Sequence, residues 1–202
     1  MNDDGVEGRL LELFRNDEKR EFATLAVQTY SAELYGFLTH LLDGAPAAAD
    51  VLAQTIETFW HALPEFRAAC SVRTWLYLLA RRCLARHKRQ PRNRRPHTGD
   101  TRLTELVAIA HSRTAPWQQT AVKTRFRELR AQLDPDDRIL LVLRIDRDME
   151  WHDIAAVTLD AAAGTQEAAA LVREAARLRK RFQQIKVKLR RQARDAGLMN
   201  GP

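Results

Sequence analysis

Apolar residues in this chain return at helical spacing almost everywhere, and no stretch alternates as a half-buried strand would. Tyr30, Leu34, Phe37, Leu38 and Leu41 form one stripe. Leu52, Ile56, Phe59 and Leu63 form a second, and Trp75, Leu76, Leu79 and Cys83 a third. Val122, Phe126, Leu129 and Leu133 recur at similar intervals, as do Leu178, Phe182, Ile185 and Leu189. A helix with one apolar stripe must bury it against other elements, so the expected fold class is all-α.

Breakers divide this pattern. Gly44-Ala45-Pro46 interrupts the chain after the first stripe, and Pro64 ends the helix that carries Phe59 and Trp60. Asp134-Pro135-Asp136-Asp137 reads as a helix start. Asp134 is expected to cap, Pro135 suits the first helical position, and the two acids favour the positive helix end. Between Pro91 and Pro116 lie Pro96, Gly99 and many polar residues, with Leu103, Leu106, Val107 and Ile109 leaving room for a short helix. The expected organisation is two small helical domains, residues 18–92 and 119–196, joined by a linker over 93–118. Each half is modest for a self-sufficient core.

Charge is segregated along the chain. From Arg73 to Arg102 there are ten Lys or Arg and one acid, and from Arg177 to Arg194 nine Lys or Arg and no acid. The remaining residues hold fourteen bases against twenty-five acids, although the whole carries a formal +7. Two basic grips for a polyanion and an acidic remainder for another partner fit this division. A solvated basic face is the plainer alternative. It usually draws on acids four residues away, and the second run contains none.

Other classes are disfavoured. There is no run of eighteen apolar residues, so membrane insertion is not expected. Met1-Asn2-Asp3-Asp4 lacks the basic and apolar regions of a signal peptide. Cys70 and Cys83 are too few for a disulfide framework or a Cys-only zinc site, and are expected to pack as small hydrophobes. These features point to the cytoplasm. His40, His61, His87, His97, His111 and His152 lack metal-ligand spacing, and no Walker, GxGxxG or GxSxG motif occurs. Neither an enzyme nor a cofactor is expected.

The second half has the layout of a helix-turn-helix. An apolar helix over 136–146 is followed by the polar turn Asp146-Arg147-Asp148, a short helix from about Glu150 to Leu159, and a long basic helix. A helix with its side chains fits the major groove, about 12 Å across, and not the minor one. On the last helix Leu178, Phe182, Ile185 and Leu189 are expected to face inward. Arg177, Arg179, Lys180, Arg181, Gln183 and Gln184 then face outward near its start, where Arg and Gln can read base edges. Lys186, Lys188, Arg190, Arg191 and Arg194 suit phosphates. The connection after Leu159 runs through Asp160-Ala161-Ala162-Ala163-Gly164-Thr165 and is longer than the three or four residues such a motif needs, with Ala168 to Glu174 read either as a backward extension of the last helix or as an extra turn.

These elements together resemble a bacterial sigma factor of the small, extracytoplasmic-function type. Asp50-Val51-Leu52-Ala53-Gln54-Thr55-Ile56 is similar to that family's DVLQETF-like motif, although Ala53 and Gln54 replace its usual Gln and Glu. Phe59-Trp60-His61-Ala62-Leu63-Pro64-Glu65-Phe66 matches its xWxALPxF pattern, and Arg73-Thr74-Trp75-Leu76-Tyr77-Leu78-Leu79-Ala80-Arg81 its TWLYxIAR element. Leu133-Asp134-Pro135-Asp136-Asp137-Arg138 looks like the LPxxxR start, and Trp151-His152-Asp153-Ile154-Ala155 like the xxEIA element. The resemblance covers residues 22–92 and 120–194. Arg82 and Arg86 depart from the usual Asn and Asp.

The resemblance implies binding to core RNA polymerase, at the clamp coiled coil of its largest subunits, through Asp50, Val51, Gln54, Thr55 and Trp60. Trp60 as a plain core residue is the alternative. It further implies promoter DNA as partner, with the helix-turn-helix on the upstream (-35) element and the first domain melting the downstream (-10) element. Phe66, Arg67, Arg73, Trp75, Tyr77, Arg81, Arg82 and Arg86 are the downstream set, with residues 66–73 as the base-capturing loop. Bases leaving the stack need an aromatic or pocketed replacement and a cationic track, which this set contains. Trp75 also fits a core position. An anti-sigma factor is a further partner common in the family. A stand-alone helix-turn-helix regulator and a charge-driven RNA-binding protein are the competing readings. The first has no use for an aromatic-rich first domain, and the second predicts no base preference.

Overall fold

A computed structural model describes residues 3–42, 44–89, 128–160 and 168–198. Every helix and turn of helix among them is α, 3-10 or π, and no strand occurs among the described residues. The expected linker, 93–118, lies outside the described residues, as do Val122 and Phe126 and the greater part of the long connection. The chain forms two compact units: Met1–Thr114 with Ala156–Glu167, and Ala115–Ala155 with Ala168–Pro202.

The first unit is built on four helices: α1 (Asp3–Arg15), α2 (Lys19–Thr39), α3 (Ala45–Ala62) and α4 (Val72–Arg89). α1 precedes the expected domain start at residue 18, yet Leu10 and Leu13 are buried and it packs on α2. Gly44 begins α3 with φ at 106°, a conformation open to glycine, and Pro46 follows in the first turn, where no N–H is missed. α3 stops at Ala62, and Leu63–Glu65 continue as one 3-10 turn around Pro64. An interior proline would have removed a helical hydrogen bond and met the preceding turn.

Five rings lock this unit together, and each helix supplies at least one. Phe14 of α1 meets Phe22 of α2 at 5.7 Å and Phe66 at 5.0 Å. Phe22 lies 6.0 Å from both Phe59 of α3 and Phe66. Trp75 of α4 lies 5.2 Å from Phe59 and stacks on Phe66 at 4.6 Å. Such pairs add about 0.5–1.5 kcal/mol each beyond the area they bury. A separate edge-on pair, Phe37 with Tyr77, joins α2 to α4 at 5.1 Å.

The second unit has a helical turn at 128–131, then α5 (Pro135–Leu141), which runs into a π-helical turn at Val142–Asp146. The sequence implied one regular helix over 136–146. The final turn instead widens, with Arg147 N–H donating to the Val142 carbonyl at 3.1 Å and Met149 N–H to the Leu143 carbonyl at 3.0 Å. Asp148 closes the turn at φ 48°, a region Asp enters more readily than most residues. Asp134 does occupy the cap position of α5, but its side chain makes no cap bond. Its carbonyl accepts from Arg138 N–H at 2.9 Å.

α6 (Trp151–Thr158) and α7 (Ala168–Asp195) follow. Leu178, Phe182 and Ile185 of α7 are buried as the periodicity predicts, and Leu189 is half-buried. Trp151 sits edge-on to Phe182 at 5.4 Å. Of the two readings of the Ala-rich segment, a backward extension of the last helix or an extra turn, the structure shows the extension. The helix begins at Ala168, so Arg177 lies nine residues in, about 13 Å along the axis. Ala168, Ala169 and Ala170 are strong helix formers.

Candidate functional site

The outer face of α3 is the first candidate surface. Asp50, Gln54, Glu57 and His61 recur at helical spacing along it, and each is exposed or half-exposed. Trp60 flanks them and is 49% exposed, so it is not a core residue. Val51 and Thr55, both expected to meet the polymerase, are buried at 0%. They lie about 100° round the helix from Asp50 and Gln54, on the side that faces the core. Thr55 Oγ1 donates to the Val51 carbonyl at 2.7 Å, which satisfies the hydroxyl internally. That expectation is corrected: the outward set is Asp50, Gln54 and Trp60, joined by Glu57 and His61.

The loop from Phe66 to Ser71 and the α4 that follows are the second surface. Three expected strand-contacting rings lie inside: Phe66 is 1% exposed, Trp75 3% and Tyr77 0%. Trp75 opens the apolar stripe of α4, and the same face cannot both fill the core and stack on a base. Tyr77 Oη donates to Glu33 at 2.7 Å, and Glu33 also takes the Arg73 guanidinium. Arg81 donates to the carbonyls of Val157 (3.2 Å) and Thr158 (2.9 Å), and Arg82 pairs with Asp160, in the segment that groups with this unit. Arg67 and Arg86 are exposed, as expected, together with Ala68 and Ala69.

The loop is held at both ends. Phe66 is anchored by the ring cluster. At the other end, Ser71 Oγ accepts from Thr74 N–H at 3.0 Å, an N-cap. Glu7 of α1 accepts from Val72 N–H at 3.0 Å and Arg73 N–H at 2.9 Å, and from Tyr30 Oη at 2.8 Å. The first three N–H groups of α4, which no helix can satisfy by itself, are thus bonded. Ala68, mid-loop, has φ 53°, strained for a residue with a Cβ. Glu7 and Glu33 are absent from the sequence-derived set, because nothing near them in sequence marks which helix end they will meet.

The outward face of α7 is the third surface. Arg179, Lys180, Gln183 and Gln184 are exposed there, with Arg173 before them and Arg190, Arg191 and Arg194 beyond. Arg177 is exposed but doubly bonded to Glu174, at 2.7 and 2.6 Å. This hydrogen bond to Glu174 holds its pKa above the usual value. Arg181 is half-buried and paired with Asp137. The second basic run contains no acid, yet Glu174 lies just before it and Asp137 comes from α5. Val172 and Val187, 64% and 65% exposed, interrupt the polar face. Arg179 and Arg144 each lie over the Trp151 ring, at 6.0 and 5.2 Å.

No group of three His, Cys, Asp or Glu that could hold a metal ion occurs among the described residues. None of the described helices is long and apolar enough to cross a membrane. Neither the curated proteins nor the solved structures give a match to this chain. Residues 26–95 match the family model for Sigma-70 region 2. The match takes in most of α2, all of α3, the Phe66–Ser71 loop and α4, and so contains both candidate surfaces of the first unit. It supports a sigma-70 family sigma factor, acting in transcription initiation with core RNA polymerase.

Proposed function

We propose that this protein is a sigma factor of the extracytoplasmic-function type, with region 2 over 18–92 and region 4, a helix-turn-helix, over 119–196. The observation that carries this reading is the coincidence of the Sigma-70 region 2 match with an outward Trp60 on α3. Tryptophan is enriched among the residues that carry binding energy at interfaces, so a half-exposed one among acidic and polar side chains suits a partner-facing surface. The partner is the clamp coiled coil of core RNA polymerase, met by Asp50, Gln54, Glu57 and Trp60.

Downstream promoter contact belongs to the exposed part of the 66–71 loop and the basic α4. Arg67 and Arg86 supply charge for the separated strands, and Phe66 and Trp75 form the floor of the loop rather than the stacking surface. Upstream contact belongs to α7. Its exposed Arg179, Lys180, Gln183 and Gln184 suit base edges, and Arg190, Arg191 and Arg194 suit phosphates. Recognition helices read bases near their N-terminal end. Arg173, a turn earlier than the expected set, therefore joins the readers, while Arg177 and Arg181 are engaged by Glu174 and Asp137.

Reconstitution with core RNA polymerase on a genomic promoter library tests this. The expected result is a stable complex and initiation from discrete sites. A chain that neither binds core nor selects sites is not a sigma factor.

A further inference from the structure

α1 lies outside the residues that match Sigma-70 region 2, yet it reaches both ends of the loop proposed to capture a base. Phe14 packs edge-on against Phe66, the first residue of the loop, at 5.0 Å. Glu7, seven residues earlier and so on the same helix face, grips the other end through Val72 N–H and Arg73 N–H. Tyr30 Oη steadies the Glu7 carboxylate from α2. Between these two anchors only Arg67, Ala68 and Ala69 are exposed, and Ala68 is held at φ 53°. A non-glycine residue keeps such a conformation only where its surroundings enforce it.

We propose that α1 is the splint of the strand-capturing loop and that Glu7 is a positioning residue for promoter opening. Glu7 touches no DNA. It fixes where the loop ends and α4 begins, so that Arg67 and the Ala68–Ala69 backbone are already placed when a base leaves the duplex. Ordering the loop beforehand removes that entropy cost from the opening step. The Glu7 charge also occupies the positive end of α4, where a phosphate would otherwise be favoured, and leaves Arg67 as the exposed cation of the loop.

The proposal rests on the sigma-factor reading, and the two fail separately. Wild-type chain is first assayed for core binding and for initiation at a promoter selected from the library; failure there removes the parent reading before any variant is tested. Glu7→Ala and Glu7→Gln are then compared as full-length chains bound to core polymerase. Core binding and duplex promoter binding are expected to be unchanged. Strand opening, read as permanganate reactivity of unpaired thymines, is expected to fall about tenfold in Glu7→Ala, the size of losing one hydrogen bond to a charged group. Glu7→Gln, which keeps one acceptor oxygen and loses the charge, is expected to fall by less. A template with a preformed bubble restores initiation by both variants. Wild-type opening by Glu7→Ala overturns the proposal. So does a loss that persists on the bubble, or one matched by lost core binding, since either is a general folding defect. If thermal unfolding finds Glu7→Ala unfolded, Glu7→Gln decides by the same readouts.

Discussion

α4 and α7 carry similar basic runs and use them in opposite ways. Ten of the eighteen residues of α4 are buried, against six of twenty-eight in α7. α4 is packed by α1, α2 and α3, so its aromatic residues are interior. Its Arg73 is bound by Glu33, Arg81 by backbone carbonyls and Arg82 by Asp160. α7 has one apolar stripe and turns the rest outward, with Arg177 and Arg181 meeting acids. Equal charge along a sequence therefore does not mean equal capacity for a polyanion. What decides is how many neighbours surround the helix.

Substitutions can break or sharpen this contrast. The largest effect is expected from Trp75→Ala, which removes the ring that α4 contributes to the cluster. It should lose about 3–5 kcal/mol in urea denaturation. A variant with wild-type stability would place Trp75 outside the core and return it to the strand-contacting set. Trp60→Ala should leave stability within about 0.5 kcal/mol of wild type. It should weaken core polymerase binding by about 2 kcal/mol, measured by titration. Unchanged affinity would remove Trp60 from the polymerase surface.

On α7 the effects are smaller and differ in kind. Gln183→Ala should shift preference at a single upstream base pair, worth about 1–2 kcal/mol, in binding to a set of single-base variants. Arg194→Ala should weaken all sequences alike and lower the slope of log affinity against log salt by about one unit. If both substitutions changed preference equally, the division into base-reading and phosphate-meeting ends of α7 would be wrong.

Much of the fold was legible because it depends on spacing. The stripes at Leu34–Leu38, Leu52–Leu63 and Leu178–Ile185 are buried where the period put them, and Pro64 and Gly44 mark real helix ends. The candidate sites were legible only in part. Trp60 and Trp75 both belong to motif-like runs of mixed polarity, yet one is half-exposed and the other is core. Val51 and Thr55 sit beside Asp50 and Gln54 in sequence, yet the turn of about 100° per residue puts them on the buried side of the helix. The motif marks the helix; the angle of each residue about its axis decides which side reaches a partner.

The sequence by itself determined the helical class, the apolar stripes and the position of the two basic runs, because each follows from residue spacing along one chain. Tertiary structure alone decided which bases remain outward and which are engaged, since Glu33 and Asp137 reach their arginines from other helices. It also brought Glu7 to the start of α4 across more than sixty residues of sequence. A carboxylate can satisfy helix-end donors from any distance along the chain, and no local pattern records that meeting.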